Sequence, residues 1–156
     1  MSSWVYHDGA FLPERDPCVS VFDGGLMHGA GLFETIRAEG GHVFRLERHL
    51  ARLLASAEKL LRPLHRGNLP APAVFTELME RNGLRSARLR LTVTSGALRG
   101  EAAGEGSSPT VVLTAAPLVE YPPGFYRSGV AVVICPYHVS PTDPLAGHKT
   151  TSYLSR

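Results

Sequence analysis

The run Ser86–Ser95 constrains this chain more than any other stretch. In it Ala87, Leu89, Leu91 and Val93 alternate with Arg88, Arg90, Thr92 and Thr94. Alternation of this kind marks a half-buried strand, because successive side chains leave a strand on opposite faces. One face must meet a core, and the other carries two arginines about 7 Å apart. That second side fits either an exposed polar face or a carboxylate-binding face, since guanidinium forks match carboxylates with two parallel hydrogen bonds. A half-buried strand needs neighbours and a cover, and the rest of the chain offers both.

Trp4–Tyr6 and Ala10–Leu12 flank His7-Asp8-Gly9 and read as a short hairpin with Asp-Gly at its turn. Pro13 to Pro17 is a polar loop, and Val19–Phe22 is expected to be a short extended piece. It leads into the glycine-rich stretch Asp23 to Thr35, where clustered glycines imply positive φ or close backbone approach. The spacing of a dinucleotide fingerprint is absent, and a structural turn is the simpler reading. Leu32–Ala38 and His42–Arg45 form a second hairpin around Glu39-Gly40-Gly41. Leu46, Leu50, Leu53, Leu54, Ala57 and Leu61 then fall at helical spacing, ended by Pro63. Arg45, Arg48, Arg52 and Lys59 give that helix a basic flank, ordinarily a solvated face. Ala73–Asn82 is a second helix, capped by Gly83.

Gly96–Ser108 is a glycine-rich loop containing Arg99, expected near any active site. Thr110–Ala116 is an apolar strand. Pro117–Ser128, with Pro122-Pro123-Gly124, reads as a linker between domains. Val130–Cys135 is expected to be a buried strand opening a second unit, with Thr150 and Thr151 capping a helix near Ser152. The expected organisation is an α+β fold: a small domain over residues 1–117, a linker over 118–128, and the truncated start of a second domain over 129–156.

An apolar fraction of 44% with 19% charged residues reads as soluble and globular, and a net charge of +2 does not argue for nucleic acid. The arginines are spread rather than blocked, so no basic tail is expected. Cys18 and Cys135 are isolated, which predicts no metal site and fits reduced thiols in a cytoplasmic protein. Met1-Ser2-Ser3-Trp4 lacks the basic start and apolar run of a secretory signal, and no apolar segment reaches the length of a membrane span.

Only two lysines, Lys59 and Lys149, stand against fourteen arginines. A lysine kept where arginine is otherwise preferred suggests chemistry that a permanently charged guanidinium cannot do, such as forming a Schiff base with a carbonyl. Lys149 lies in Pro144-Leu145-Ala146-Gly147-His148-Lys149-Thr150-Thr151-Ser152, among hydroxyls and a titratable His148. On composition alone a surface lysine in a turn fits it equally well.

Four segments in order carry a resemblance. They are Asp23 followed by His28-Gly29-Ala30-Gly31-Leu32-Phe33-Glu34-Thr35-Ile36-Arg37; His49-Leu50-Ala51-Arg52-Leu53 continued by Ser56-Ala57-Glu58-Lys59; Thr92-Val93-Thr94-Ser95-Gly96; and Leu145-Ala146-Gly147-His148-Lys149. With these the chain resembles the first half of the fold-type IV pyridoxal-phosphate enzymes, which include branched-chain and D-amino-acid aminotransferases and 4-amino-4-deoxychorismate lyases. The resemblance implies pyridoxal 5'-phosphate as cofactor and Lys149 as the residue of the internal aldimine and of proton transfer. It implies Arg52 as the ligand of the cofactor phosphate, and Arg90 with Arg88 as substrate-facing strand residues.

Arg99 is expected to assist the two strand arginines from its loop. Phe33 stands where the D-amino-acid enzymes have a tyrosine in their carboxylate trap, which weighs against that branch. Ala30 replaces a frequent acidic residue, and Tyr153 lies one residue closer to the lysine than the cofactor-contacting tyrosine of the branched-chain group. The Leu145–Lys149 spacing looks most like the lyase group. The implied activity is that of an aminotransferase acting on an amino acid or amino-carboxylate. The alternative is a lyase releasing pyruvate and 4-aminobenzoate from aminodeoxychorismate. A non-catalytic fragment or binding domain is the alternative of another class. The family's carboxylate at the pyridine nitrogen and its phosphate-binding turn belong to its second half, so residues 1–156 alone are expected to be inactive. A homodimer is expected from the resemblance.

Overall fold

The computed structural model describes residues 3–61, 64–99, 108–136, 138, 140 and 142–152. The alternating run Ser86–Ser95 contains a central strand, β5 (Ala87–Thr94), in a six-stranded antiparallel sheet. The other strands are β1 (Trp4–His7), β2 (Ala10–Pro13), β3 (Gly31–Glu39), β4 (His42–Val43) and β6 (Val111–Pro117), in the order β2-β1-β6-β5-β3-β4. β5 pairs along its whole length with β3, Leu32 opposite Val93 and Ile36 opposite Leu89, and on its other side with β6, Leu91 opposite Leu113.

Alternation then sorts the sheet. Leu32, Ile36 and Ala38 of β3, Leu89, Leu91 and Val93 of β5, and Leu113 of β6 form one apolar face. Two helices cover it. α2 (Leu46–Leu60) lies along β3 and contributes Leu50, Leu53 and Ala57, and α3 (Pro72–Arg81) contributes Phe75, Leu78 and Met79. Leu89 and Leu91 are fully buried beneath them, so truncating either to alanine should cost about 2–5 kcal/mol. Proline at the first position of α3 costs no hydrogen bond, because that N–H has no partner within a helix. The end of α3 is pinned to β1 by Asn82, which accepts from the Trp4 amide and donates to the Trp4 carbonyl.

Both expected hairpins form, β1–β2 around Asp8-Gly9 and β3–β4 around Gly40-Gly41. β4 is shorter than expected because Arg45, at φ 50°, already turns the chain into α2. The α2 and α3 expectations hold within a residue or two, while Pro63 lies outside the described residues.

Two expected strands are absent. Val19–Phe22 is not extended into a ladder: the Ser20 hydroxyl and carbonyl accept from the Phe22 and Asp23 amides and close a turn there. The turn delivers Asp23 as the cap of α1 (Gly24–His28), a helix that lies inside the glycine-rich stretch. Val130–Cys135 is neither a strand nor buried, and Val132, Val133 and Ile134 are 84%, 94% and 96% exposed. No neighbouring strand among the described residues offers that backbone a partner, and a strand without a ladder is not stable in water. The segment read as a linker ends in α4 (Pro123–Ser128), where Tyr121 stacks on Phe125. The helix expected near Ser152 falls on residues 153–156, outside the described set.

Candidate active site

β4 pairs only with the far end of β3, at Ala38 and Glu39. The near end of β3 is therefore an open edge, and the Lys149 segment occupies it. The Phe33 amide donates to the Lys149 carbonyl at 2.9 Å, the Thr151 amide donates to the Gly31 carbonyl at 2.9 Å, and Thr150 bridges to Leu32. Thr151 Oγ1 and Ser152 Oγ add bonds to the Gly29 carbonyl. The segment packs so tightly that a Cβ on Gly31 would lie 2.8 Å from Thr151 Oγ1. The two glycines around Ala30 thus admit the lysine segment, which is the close approach that their clustering implied.

Pairing with β3 fixes which way the side chains of this segment point. Thr150 turns to the covered side with Leu32 and is 4% exposed. Lys149 turns to the uncovered side with Phe33, and its Nζ stands 5.0 Å from the centre of the Phe33 ring. The Arg90 guanidinium lies over the same ring at 3.7 Å. Lys149, Phe33 and Arg90 are thus brought together on the open face of the sheet. Among the described residues no carboxylate lies within ion-pairing distance of Lys149 or Arg90. Two uncompensated cations around one ring make a place for an anion.

Arg88 lies further along the same face, opposite Arg37, and with Thr35, Tyr121 and Tyr126 lines a cleft of about 740 Å³. Arg99 does not join the Phe33 cluster. Its guanidinium packs 4.7 Å over the half-buried Phe22 ring.

Arg52 approaches from the covered side. α2 presents His49, Arg52 and Ser56, three and four residues apart and so on one helix face. Arg52 donates from Nε to Glu34 Oε1 at 2.6 Å and from Nη2 to Glu34 Oε2 at 2.6 Å. His49 Nδ1 lies 2.8 Å from Oε2 of the same carboxylate. Burial pushes the Glu34 carboxyl up, but hydrogen bonds and charge from Arg52 and His49 outweigh it and hold the group below its ordinary range. The Glu34 hydrogen bond in turn raises the Arg52 guanidinium. Ser56 Oγ meets His148 Nδ1 at 2.9 Å, tying the residue before Lys149 to the same helix face.

One further group fixes the platform. Asp23 is fully buried and accepts from the Gly25 amide and from the Thr94 and Thr110 hydroxyls, each at 2.7 Å. It locks α1, and hence Gly29, against β5 and the start of β6. The spacing of His49, Arg52 and Ser56 was a readable sign of a shared helix face. Glu34 and Asp23 stand within the quoted motifs, but nothing local says that either is buried. No group of residues suited to holding a metal occurs among the described residues, and no helix among them is long and apolar enough to cross a membrane.

Residues 31–156 match the family model for class IV amino-transferases. The chain belongs to the class IV aminotransferase family. It is 35% identical over 153 residues, 97% of its length, to a Methanocaldococcus jannaschii protein provisionally named a branched-chain-amino-acid aminotransferase, of which the match covers 52%. The crystal structure of 4-amino-4-deoxychorismate lyase from Pseudomonas aeruginosa superposes on 95% of the chain with a TM-score of 0.68 and 31% identity, using 52% of that structure. The branched-chain amino acid aminotransferase from Thermoproteus uzoniensis, solved with norvaline, matches 77% of the chain at a TM-score of 0.59 and 25% identity, with 42% of its own length. This class IV chain therefore spans about half the length of the relatives it matches. The expected fold-type IV architecture is shown by these likenesses, and its six-stranded sheet under two helices is the part this chain contains.

Proposed function

We propose that the protein is a pyridoxal-phosphate-dependent aminotransferase acting on an amino acid or amino-carboxylate, with Lys149 as its reactive amine. The observation that carries this is the docking of the Lys149 segment on Gly31–Phe33, which leaves Nζ over the Phe33 ring that Arg90 also covers. The donor set suits a phosphorylated aldehyde. It is offered from the two sides of β3: a primary amine at Lys149 on the uncovered side, and on the covered side a guanidinium at Arg52, with Nη1 outside its pair with Glu34, and a buried, unpartnered hydroxyl at Thr150. Bound pyridoxal phosphate supplies an electron sink for charge developing at the substrate Cα.

The chain's own residues do the rest. Lys149 Nζ would hold the aldehyde carbon and, once released, carry the proton to and from the substrate Cα. Arg52 would bind the phosphate by charge-assisted hydrogen bonds. Arg90 would orient the substrate carboxylate, its plane held on Phe33, with Arg88 further along the strand. Cys18 and Cys135 are free thiols, which supports a reducing, cytoplasmic setting, and a homodimer follows from the family resemblance.

Borohydride reduction of the whole protein with pyridoxal phosphate, followed by peptide mapping, is expected to label Lys149. Label on Lys59, or none in a cofactor-loaded preparation, would sink the assignment. A second reading, 4-amino-4-deoxychorismate lyase, is favoured by the 95% coverage and 0.68 TM-score of the Pseudomonas enzyme against 77% and 0.59 for the branched-chain one. Pyruvate released from aminodeoxychorismate without a keto-acid acceptor would select the lyase.

A further inference from the structure

Glu34 is 1% exposed, and the proposed chemistry leaves it without a task. A carboxylate is rarely buried so completely unless it is paired. Both its oxygens are occupied: Oε1 by Arg52 Nε, and Oε2 by Arg52 Nη2 and His49 Nδ1. The Arg52 side chain, by contrast, is 55% exposed. An arginine exposed to that degree and held by nothing would sample many rotamers. The two parallel contacts to Glu34 instead fix its guanidinium plane, with Nε and Nη2 turned inward and Nη1 left outside the pair.

We propose that Glu34 is the positioning residue for Arg52: the buried carboxylate, braced by His49, holds the guanidinium in the orientation that offers its Nη1 edge to the cofactor phosphate. This rests on the reading of Arg52 as the phosphate ligand. Two effects of Glu34 oppose each other there. Its negative charge offsets the guanidinium's and should weaken phosphate binding, while its two-point grip removes the orientational freedom that binding would otherwise have to remove. The grip dominates at the outward edge: Glu34 takes its contacts from Nε and Nη2 on the inner side, so Nη1 keeps its hydrogen bonds for a phosphate, while solvent alone does not order the side chain.

The test compares affinities for pyridoxal phosphate and for pyridoxal, which lacks the phosphate, in the whole protein. Glu34→Gln is expected to weaken pyridoxal phosphate about tenfold while leaving pyridoxal within about twofold. A merely structural carboxylate would weaken both alike. Arg52→Gln should show the same selective loss, and adding Glu34→Gln to it should cost nothing more, since the two act as one unit.

Equal loss of both ligands, no loss, or tighter binding of pyridoxal phosphate in Glu34→Gln would overturn the proposal. If Arg52→Gln shows no selective loss, the reading of Arg52 itself is at fault. Where Glu34→Gln does not fold, Glu34→Asp, which keeps the charge but shortens the reach, is read by the same ratio. Failure of both to fold while Arg52→Gln folds would make the carboxylate structural and end the proposal.

Discussion

Substituting Gly31 by alanine tests whether the glycine pair exists to admit the lysine segment. The new Cβ would lie 2.8 Å from Thr151 Oγ1, 3.1 Å from Thr151 Cγ2 and 3.3 Å from the Val93 carbonyl oxygen. It is therefore wedged between β5 and the docked segment. Thr151 cannot simply rotate away, because its hydroxyl is held at 2.9 Å by the Gly29 carbonyl. The Val93 carbonyl belongs to a strand paired on both sides, so the lysine segment is the part that gives way.

Losing the two backbone bonds, from Phe33 to Lys149 and from Thr151 to Gly31, costs about 0.5–1.5 kcal/mol each, or about 1–3 kcal/mol in all. Amide hydrogen exchange reads this directly. Protection of the Phe33 and Thr151 amides should fall about tenfold or more, since about 1.4 kcal/mol is tenfold. Amides in the β5–β6 ladder should not change. Gly124→Ala, whose Cβ would meet nothing within 4 Å, is the silent control. Unchanged protection at Phe33 and Thr151 in Gly31→Ala would refute the close-approach argument.

Further outcomes follow from the same contacts. Arg90→Leu should raise the Michaelis constant for carboxylate substrates while leaving the melting temperature nearly unchanged; a change in melting alone would make Arg90 structural. Glu34 is held below its ordinary value of 4.5, so its contribution to stability should be fully present above about pH 4.5 and disappear as the pH falls through its lowered native value. Acid unfolding of wild type and Glu34→Gln checks this, the gap between them being constant above that pH and closing below it. Asp23→Ala leaves the Thr94 and Thr110 hydroxyls and the Gly25 amide without their acceptor and should cost about 1–3 kcal/mol by denaturant unfolding.

Local pattern carried most of the sheet and its two covering helices. The alternation of Ala87 to Thr94, the apolar stripe from Leu46 to Ala57 and the turn residues at Asp8-Gly9 and Gly40-Gly41 each describe a segment by its immediate neighbours. Val19–Phe22 and Val130–Cys135 have equally apolar composition, but a strand exists only where another backbone pairs with it, and that depends on distant residues. The Lys149 segment shows the converse. Nothing in Gly147-His148-Lys149-Thr150 reads as extended, yet the open edge of β3 pairs with it more than a hundred residues away in sequence. The role proposed for Arg52 rests on resemblance to a family, and that proposed for Lys149 on the resemblance and on its rarity as a lysine, while the resemblance gives neither Glu34 nor Ser56 a role. The position of Arg99 just after the strand suggests a place beside Arg88 and Arg90, but its guanidinium packs on Phe22.

Phe33 and Glu34 are consecutive residues that serve opposite sides of one sheet, the ring beneath Lys149 and the carboxylate beneath α2. A strand has no intermediate setting between its two faces. One residue inserted or deleted between Gly31 and Phe33 would turn the carboxylate toward the lysine and the ring toward the arginine, exchanging both partners in a single event. Length changes over evolution should therefore accumulate at the Gly40-Gly41 turn and be missing from Gly31–Glu34, whatever happens to the identities of the side chains there.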